Sequence, residues 1–362
     1  MIPRALLFQP HFEQLERRDC PAVDVSIFGS TMIIRGDAGD DFVTISDDGQ
    51  GNVGATIINA GGNDTDSASN IRTIVVYGND GDDVVNYNLT AALAQRRNLY
   101  FYLGNGNDEA YLNANAGLNG GDLYAVISGW NGNDRATSDF GLITNSRVNV
   151  FQYLHAGDDN AFLRLDDLIL GSTVNSYVDA SAGNDQVDLS LGTVLDSRVS
   201  LRNFLSAGDD GMTARLSGAV RGNSYVSLAT WDGWGNDTTT YDAAFVDVAS
   251  GATLSLSSNS YQGTDTVDLT WSGDLDGRLR VLITGGMLSD DFSANLSAQL
   301  GSTGALYASM IGWWAPDNLT LNVFDNSGIA SSALSVLSAY LNGGWFGSNN
   351  CTHTSNVTVV NC

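Results

Sequence analysis

The sequence predicts an all-β fold, a parallel β-helix of about 11 to 12 coils. Three observations carry this prediction. A Gly-[Asn/Asp]-Asp cluster recurs along the chain, an alternating apolar run follows most of the clusters, and a composition with 41 Gly and many Asp, Asn and Ser favours turns over helices. A fixed period in the twenties with short strands is typical of a solenoid, in which each repeat buries its apolar face by stacking on its neighbours.

Composition limits the classes of partner. The 362 residues carry 16 basic and 41 acidic side chains, for a formal charge of -25, and 43% of them are apolar, enough for a substantial core. Nucleic acids and anionic membrane surfaces need clustered Lys and Arg, so the charge argues against both and favours cations. No apolar run approaches the roughly 20 residues of a membrane-spanning helix, so no membrane span is predicted.

Residues 1–22 form a leader or targeting-like segment, which holds three of the four Pro and lacks the repeat. Its apolar stretch at residues 5–8 is shorter than the roughly 7 to 15 residues of a secretion signal's hydrophobic region. Residues 15–22, LERRDCPA, resemble a motif, L-E-x-R-x-x-P-[AS], found near the start of many exported proteins of planctomycete bacteria. The resemblance implies an extracellular or cell-surface protein that carries β-rich repeats.

The last Asp of each cluster marks the register of the repeat. From Asp83 to Asp317, nine steps cover 234 residues, a mean period of 26, whereas the two earlier steps are shorter, at 23 and 19 residues. The early coils are therefore irregular or differently registered. The marking residues are Asp41, Asp64, Asp83, Asp108, Asp134, Asp159, Asp185, Asp210, Asp237, Asp265, Asp291 and, more weakly, Asp317.

Strand periodicity supports a β-helix over residues 23–326. The positions two, four and six residues after the marking Asp are apolar or small, as at Ala161, Leu163 and Leu165, and this alternation predicts one buried face. A second strand precedes each cluster, as at Val148 and Val150. A propeller needs blades of about 40 residues, and a sandwich would not keep one turn sequence in register. The core prediction also includes Val187, Leu189, Leu191, Val199, Leu201, Val226, Leu228, Val267, Leu269 and Trp271.

Residues 327–362 are predicted to cap the open end of the solenoid. At residues 328–344, apolar side chains at helical spacing, among them Leu337 and Leu341, predict a capping helix that ends in a Gly pair. Cys351 and Cys362 lie eleven positions apart and could close a disulfide loop in an oxidising compartment, which would leave Cys20 unpaired. Free thiols are the alternative.

Stacking would place the marking Asp side chains in a column of like charges. At about 5 Å and an effective dielectric constant of about 20, neighbouring carboxylates repel by roughly 3 kcal/mol. Calcium, which takes six to eight oxygen ligands, would offset this repulsion. Alternatively, each Asp or Asn side chain accepts backbone N–H groups. This alternative agrees with the residue before the marking Asp, which is Asp in some repeats and Asn in others. The candidate calcium ligands are Asp41, Asp83, Asp108, Asp134, Asp159, Asp185, Asp210, Asp237 and Asp265.

Two of the clusters resemble a known calcium-binding repeat. GDAGDDFV at residues 36–43 and GNDGDDVV at residues 78–85 are similar to the nonapeptide G-G-x-G-x-D-x-U-x of the repeats-in-toxin proteins. This resemblance implies calcium in the turns. Asp37 and Asn79 stand where that family has its second Gly, and one turn per 26 residues replaces one turn per nine, so the resemblance does not extend to the ligand geometry.

Nothing in the sequence singles out one catalytic cluster. Lysine is absent, the three His are scattered, and the adjacent carboxylates at residues 158–159, 166–167 and 209–210 follow the repeat, whereas an active site should occur once. The seven Trp could stack on sugars or pack in the core.

The predicted function is a non-catalytic extracellular or cell-surface structural or adhesion solenoid, with calcium as candidate cofactor and polysaccharide or surface proteins as candidate partners. A polysaccharide-active β-helix hydrolase or lyase is the alternative.

Overall fold

The computed structural model describes residues 23–301, 303–313, 316–325, 336–342, 350–353 and 358–360. Within these ranges the chain forms strands, turns and bends and no helix. A search of the same residues finds no helix with the length and apolar character to cross a membrane. The leader-like segment at residues 1–22 lies outside the described residues.

The strands are short, and most alternate between buried and more exposed positions. In chain order they are β1 (Asp24–Phe28), β2 (Thr31–Arg35), β3 (Phe42–Asp47), β4 (Val53–Asn59), β5 (Gly62–Ala68), β6 (Thr73–Asp80), β7 (Val84–Leu89), β8 (Arg96–Asn105), β9 (Glu109–Ala114), β10 (Leu118–Asn119), β11 (Asp122–Asn131), β12 (Arg135–Phe140), β13 (Ile143–Thr144), β14 (Arg147–Ala156), β15 (Asn160–Leu165), β16 (Ile169–Leu170), β17 (Thr173–Asp179), β18 (Gln186–Leu191), β19 (Val194–Leu195), β20 (Arg198–Phe204), β21 (Gly211–Leu216), β22 (Val220–Arg221), β23 (Tyr225–Trp231), β24 (Thr238–Ala243), β25 (Thr253–Asn259), β26 (Thr266–Leu275), β27 (Arg278–Thr284), β28 (Asp291–Leu300), β29 (Ala305–Ile311), β30 (Asn318–Asp325), β31 (Val336–Asn342), β32 (Asn350–His353) and β33 (Thr358–Val360).

Two long sheets and one short sheet enclose a single core. Sheet A runs β1-β2-β6-β8-β11-β14-β17-β20-β23-β25-β27-β29-β31-β33, sheet B runs β32-β30-β28-β26-β24-β21-β18-β15-β12-β9-β7-β3-β4-β5, and sheet C is β10-β13-β16-β19-β22. Each coil places one strand in sheet A and the next long strand in sheet B. The predicted parallel β-solenoid is therefore confirmed, with about ten turns of roughly 26 residues; the regular turns run from β6 to β30, and irregular turns extend both ends.

The core follows the predicted alternation. In β15, Ala161, Leu163 and Leu165 are buried while the residues between them are more exposed. Burying one such aliphatic side chain contributes roughly 1.5 to 3 kcal/mol, and the parallel register adds a similar contribution at every coil. Trp271 is the largest of the fully buried side chains. The other predicted core residues are buried as well, namely Val148, Val150, Val187, Leu189, Leu191, Val199, Leu201, Val226, Leu228, Val267 and Leu269.

The amino-terminal end departs from the parallel pattern. β1 and β2 form an antiparallel hairpin, and β3, β4 and β5 form an antiparallel meander at the end of sheet B. Asp64 lies in β5, where its Oδ2 accepts the Val25 N–H at 2.7 Å. Its assignment to the repeating register was therefore wrong, because the meander inserted between β3 and β6 lengthens this coil.

A buried ion pair lies in the core near this end. The Arg97 guanidinium donates to both oxygens of Asp47, at 2.5 and 2.8 Å, and to the Ile71 carbonyl. The Tyr87 hydroxyl donates to the same carboxylate at 2.6 Å. Burial alone would lower the pKa of Arg97, but the Asp47 carboxylate raises it. The fully buried cluster lies within the apolar core of the first coils and was not predicted from the sequence.

The prediction of a capping helix at residues 328–344 is wrong over residues 336–342, the part of this range that the structure describes. β31 occupies Val336–Asn342 and pairs in parallel with β29, with Leu337 opposite Leu306 and Leu341 opposite Met310. A spacing of four residues suits one face of a strand as well as one face of a helix, and pairing with the exposed edge of sheet A favours the strand. Residues 328–335 and 343–344 lie outside the described residues.

The solenoid continues through β32 and β33, which extend sheets B and A. Cys351 lies in β32 and forms a disulfide bond. Cys362 falls outside the described residues, so its pairing with Cys351 stays a prediction. Cys20 lies outside them too.

Candidate functional site

The Gly-[Asn/Asp]-Asp clusters form the corner between sheets A and B. In one coil, β14 ends at Ala156, Gly157 turns the chain with φ at +149°, and β15 begins at Asn160. A Cβ at Gly157 would collide with the carbonyl oxygen of Gly132 in the preceding coil. Glycine is needed here because successive corners stack backbone against backbone.

Behind the glycine, a column of Asp side chains links the coils; we call it the inner column. Each backbone N–H donates to the Oδ1 of the Asp in the next coil, as from Asp134 to Asp159 at 2.6 Å and from Asp159 to Asp185 at 2.8 Å. The column consists of Asp41, Asp83, Asp108, Asp134, Asp159, Asp185, Asp210, Asp237, Asp265, Asp290 and Asp317.

The predicted column is therefore present, with a second correction of register besides the one at Asp64. All nine candidate calcium ligands lie in it. Asp290 takes the place assigned to Asp291, which begins β28. The alternation of apolar residues after the marking Asp distinguishes Asp290 from Asp291. Phe292, two residues after Asp290, is buried, whereas Ser293, two residues after Asp291, is only half-buried.

One residue earlier in each corner lies a second, exposed column, which we call the outer column. Its hydrogen bonds run in the opposite direction: the Asp158 N–H donates back to Asn133 Oδ1 at 2.9 Å, and the Asn184 N–H donates back to Asp158 Oδ1 at 2.8 Å. Only Oδ1 is required, which an amide supplies as well as a carboxylate. The column consists of Asp40, Asp82, Asn107, Asn133, Asp158, Asn184, Asp209, Asn236 and, as donor only, Thr264.

Burial controls the electrostatics of the inner column, whose members are at most 3% exposed. Desolvation raises the pKa of Asp83, Asp134 and Asp185 to about 8, helped by the charges of neighbouring carboxyls and opposed by the N–H donors. Burial likewise raises the pKa of Asp210 and Asp265 to about 7, and of Asp108, Asp159 and Asp317 to about 6. Near neutral pH the column therefore carries protons on some of its carboxyls.

The second oxygen of each inner carboxyl bears on the calcium prediction. The Oδ2 atoms of Asp41, Asp237 and Asp290 accept backbone N–H groups of their own turns. Among the described residues, seven other Oδ2 atoms are buried without a hydrogen-bond partner, those of Asp83, Asp108, Asp134, Asp159, Asp185, Asp210 and Asp265.

These free oxygens do not amount to a calcium coordination shell. Calcium takes six to eight oxygens, whereas the inner carboxyl of each of these corners offers a single free oxygen. No group of three or more His, Cys, Asp or Glu in the described part of the chain could hold a metal ion. The donor set fits a hydrogen-bonded column better, and calcium at the corners stays a prediction.

Two of the three adjacent carboxylate pairs considered for catalysis are divided between the two columns. Asp158 belongs to the outer column and Asp159 to the inner one, and Asp209 and Asp210 divide in the same way. Asp166 and Asp167 are exposed at the bend between β15 and β16.

A serine column at the corner before sheet A was missed. The Ser146 N–H donates to Ser172 Oγ at 3.0 Å, and the Ser172 N–H donates to Ser197 Oγ at 2.9 Å. Each Oγ donates in turn to a backbone carbonyl of its own corner. The signal was present in the sequence, because Ser146, Ser172, Ser197 and Ser224 are spaced by 25 to 27 residues.

An aromatic ladder covers part of the outer face of sheet A. Rings contact one another across seven consecutive strands, β6 to β23, with centroids 4.4 to 6.4 Å apart; the six strand spacings measure roughly 29 Å. The closest pair, Phe204 and Trp231, is parallel within 2°. Because these rings stack on one another, the ladder stabilises the join between coils. Its members are Tyr77, Tyr100, Tyr102, Tyr124, Phe151, Tyr153, Tyr177, Phe204 and Trp231.

The tryptophans divide between core and surface. Trp271 is buried and Trp231 stacks on Phe204, whereas Trp130, Trp234 and Trp313 are exposed. Trp314 and Trp345 lie outside the described residues. His155 is exposed at the corner with φ at +74°, and its Nε2 lies 3.2 Å from Ser128 Oγ.

The fold and its corners define a class, the parallel β-solenoids with hydrogen-bonded side-chain columns. No protein-family model matches the chain, and no curated protein matches it significantly.

Proposed function

We propose that the protein is a non-catalytic structural or adhesion solenoid that acts outside the cell or on its surface. One observation carries the proposal: the repeated carboxylates that could have formed a reactive site are used to join each coil to the next. Chemistry that recurs at every corner builds a scaffold, whereas catalysis needs a cluster that occurs once.

Two further observations support a location outside the cell. Cys351 forms a disulfide, and disulfides persist in oxidising compartments such as the extracellular space. The motif-like residues 15–22 resemble the leader of exported proteins. Immunolabelling of the native cells tests the location. We expect labelling of intact cells or of the culture medium, and labelling that requires permeabilised cells would contradict the proposal.

The absence of catalysis can be tested directly. The purified protein is incubated with neutral polysaccharides and with anionic ones such as alginate and polygalacturonate, while new reducing ends and unsaturated products are measured. We expect neither to accumulate. Product that accumulates over many turnovers, and is lost on substitution of one carboxylate, would favour the alternative, a polysaccharide-active enzyme.

A further inference from the structure

The carboxyl ends of the sheet A strands carry an exposed aromatic cleft in the coils of β25, β27 and β29. The register pairs Asn259 with Thr284 and Thr284 with Ile311. Carried two residues further, it places Tyr261, Gly286 and Trp313 at the same position of three successive coils. Two aromatic side chains therefore flank a glycine, and the cleft between them measures about 440 Å³.

The width of this cleft suits one inserted ring. Successive strands lie about 4.8 Å apart, so positions two coils apart are roughly 9.6 Å apart. Stacked rings prefer centroids about 4.5 to 7 Å apart, which leaves room for a single ring between Tyr261 and Trp313. Gly286 keeps the middle open, and a Cβ there would collide with the Tyr261 carbonyl oxygen.

The two rings differ from those of the aromatic ladder. Tyr261 is 55% exposed and Trp313 is 54% exposed, and within the described residues neither stacks on another ring. Exposed aromatic side chains gathered around a cleft mark a binding surface more often than a packing site. Their faces are available to a ligand, whereas the ladder rings cover one another.

The lining selects a neutral, hydroxylated ligand. The cleft is lined by Asn259, Ser260, Tyr261, Thr284, Gly285, Gly286, Met287 and Trp313, none of them charged near neutral pH. Thr284 Oγ1 donates to Asn259 Oδ1 at 2.8 Å, which leaves the Asn259 amide donors free within the described part of the chain. The net charge of -25 disfavours an anionic ligand.

We infer that this cleft binds a sugar ring of a neutral polysaccharide, and the inference rests on the proposed adhesion function. The C–H groups on the face of a pyranose are weakly positive and match the negative face of an aromatic ring. The hydroxyls at the rim of the sugar can accept from the Asn259 amide and donate to Thr284 Oγ1, whose own proton is bonded to Asn259. Tyr261 and Trp313 would hold the ring from both sides.

Affinity electrophoresis of the full chain tests the inference. The protein is run in native gels that contain hydroxyethylcellulose, a soluble β-1,3-glucan, soluble starch or, as the anionic comparison, polygalacturonate. We expect at least one neutral polysaccharide to retard it and polygalacturonate not to. Tyr261→Ala and Trp313→Ala should each weaken binding about fivefold to tenfold, and Trp313→Phe should retain most of it.

Trp130→Ala is the matched control, because Trp130 is 57% exposed at the equivalent corner position of the β11 coil. It should leave retardation unchanged, and circular dichroism melts should show that all the variants are folded. Retardation by no neutral polysaccharide, or retardation that survives both alanine substitutions, would overturn the inference. Cleavage of a bound polysaccharide would overturn the proposed function instead, so the two failures are distinguishable.

Discussion

The inner and outer columns are neighbours at every shared corner, yet their hydrogen bonds run in opposite directions along the solenoid. Asp159 receives the N–H of the preceding coil, whereas Asp158 receives the N–H of the following coil. One corner therefore links the coils on both of its sides. The two adjacent Asp side chains therefore bind the backbone of coils on opposite sides of their own.

Burial explains why the two columns tolerate different residues. The inner column consists only of Asp and is withdrawn from water, whereas the outer column mixes Asp with Asn and is exposed. In the outer column, solvent screens the charge and only one acceptor oxygen matters, so the amide serves equally well. In the inner column most Oδ2 atoms are buried without a partner, so an amide would bury an NH2 group there, whereas a carboxyl can take up a single proton and so reduce the repulsion within the stack.

The largest expected effect is a loss of stability as pH rises, and it belongs to the inner column. Eight of its carboxyls have folded-state pKa values between about 6 and 8, above the ordinary value of 3.8. Burial raises the pKa of the other three, Asp41, Asp237 and Asp290, as well. The folded state then holds more protons than the unfolded state, so the stabilisation is present at low pH and is lost as pH rises through 6 to 8. Urea unfolding between pH 5 and pH 9 should show a loss of several kcal/mol.

A triple substitution separates this effect from general charge repulsion. Asp83→Asn, Asp134→Asn and Asp185→Asn together remove the three carboxyls with pKa values of about 8 and should flatten the decline between pH 7 and pH 9. Equivalent substitutions in the outer column, at Asp82, Asp158 and Asp209, should leave the decline in place. A stability that rises with pH would refute the protonated column.

The next largest effect compares alanine at two adjacent positions. Asp159→Ala leaves the buried Asp134 N–H without an acceptor, which should cost on the order of 2 kcal/mol. Asp158→Ala frees the Asn184 N–H at an exposed corner, where water replaces the lost acceptor, and should cost less than about 0.5 kcal/mol. Urea midpoints of the two variants measure the difference, and equal losses would show that burial does not separate the columns.

How far the sequence predicts this architecture depends on how local each signal is. The repeat of 26 residues and the alternation after Asp159 are local, and they predicted the solenoid, its core and ten of the eleven members of the inner column. The short steps of 23 and 19 residues on either side of Asp64 indicated irregular early coils. The antiparallel meander itself could not be predicted from spacing, because an inserted hairpin changes the register without changing the turn residues. The strand at Leu337 depended on pairing with the edge of sheet A, which a spacing of four residues does not reveal.

The remaining features depend on which residues face each other across coils. The opposite directions of the two columns require the three-dimensional position of each N–H group. The aromatic cleft depends on the register of Tyr261, Gly286 and Trp313 over three coils, and the unequal lengths of these coils hide that register in the sequence. The serine column, by contrast, shows the same period as the Asp clusters and was open to prediction.

A smaller effect is expected when Asn replaces Asp at the same two positions. Asp158→Asn keeps the Oδ1 acceptor in the exposed column and should change stability by no more than about 0.3 kcal/mol at any pH. Asp159→Asn also keeps Oδ1 but removes a charge that the buried column carries at high pH. It should be within about 1 kcal/mol of the unmodified protein at pH 5 and more stable than it at pH 9. Destabilisation of Asp159→Asn at pH 9 would show that its ionised form is needed there.

The smallest expected effect is that of calcium on the melting midpoint. It tests whether the free Oδ2 atoms of the inner column bind an ion. If hydrogen bonds and protons complete the column, thermal melts in millimolar calcium and in chelator should give midpoints within about 1 °C of each other. If calcium occupies the corners, it binds only the folded state, and the midpoint should rise with calcium concentration. The two Asn variants show which column binds calcium, because Asp159→Asn removes an inner carboxylate and Asp158→Asn removes an outer one. A rise abolished by the inner substitution alone would place calcium among the buried Oδ2 atoms, and its competition with protons would then make the rise larger at pH 9 than at pH 5.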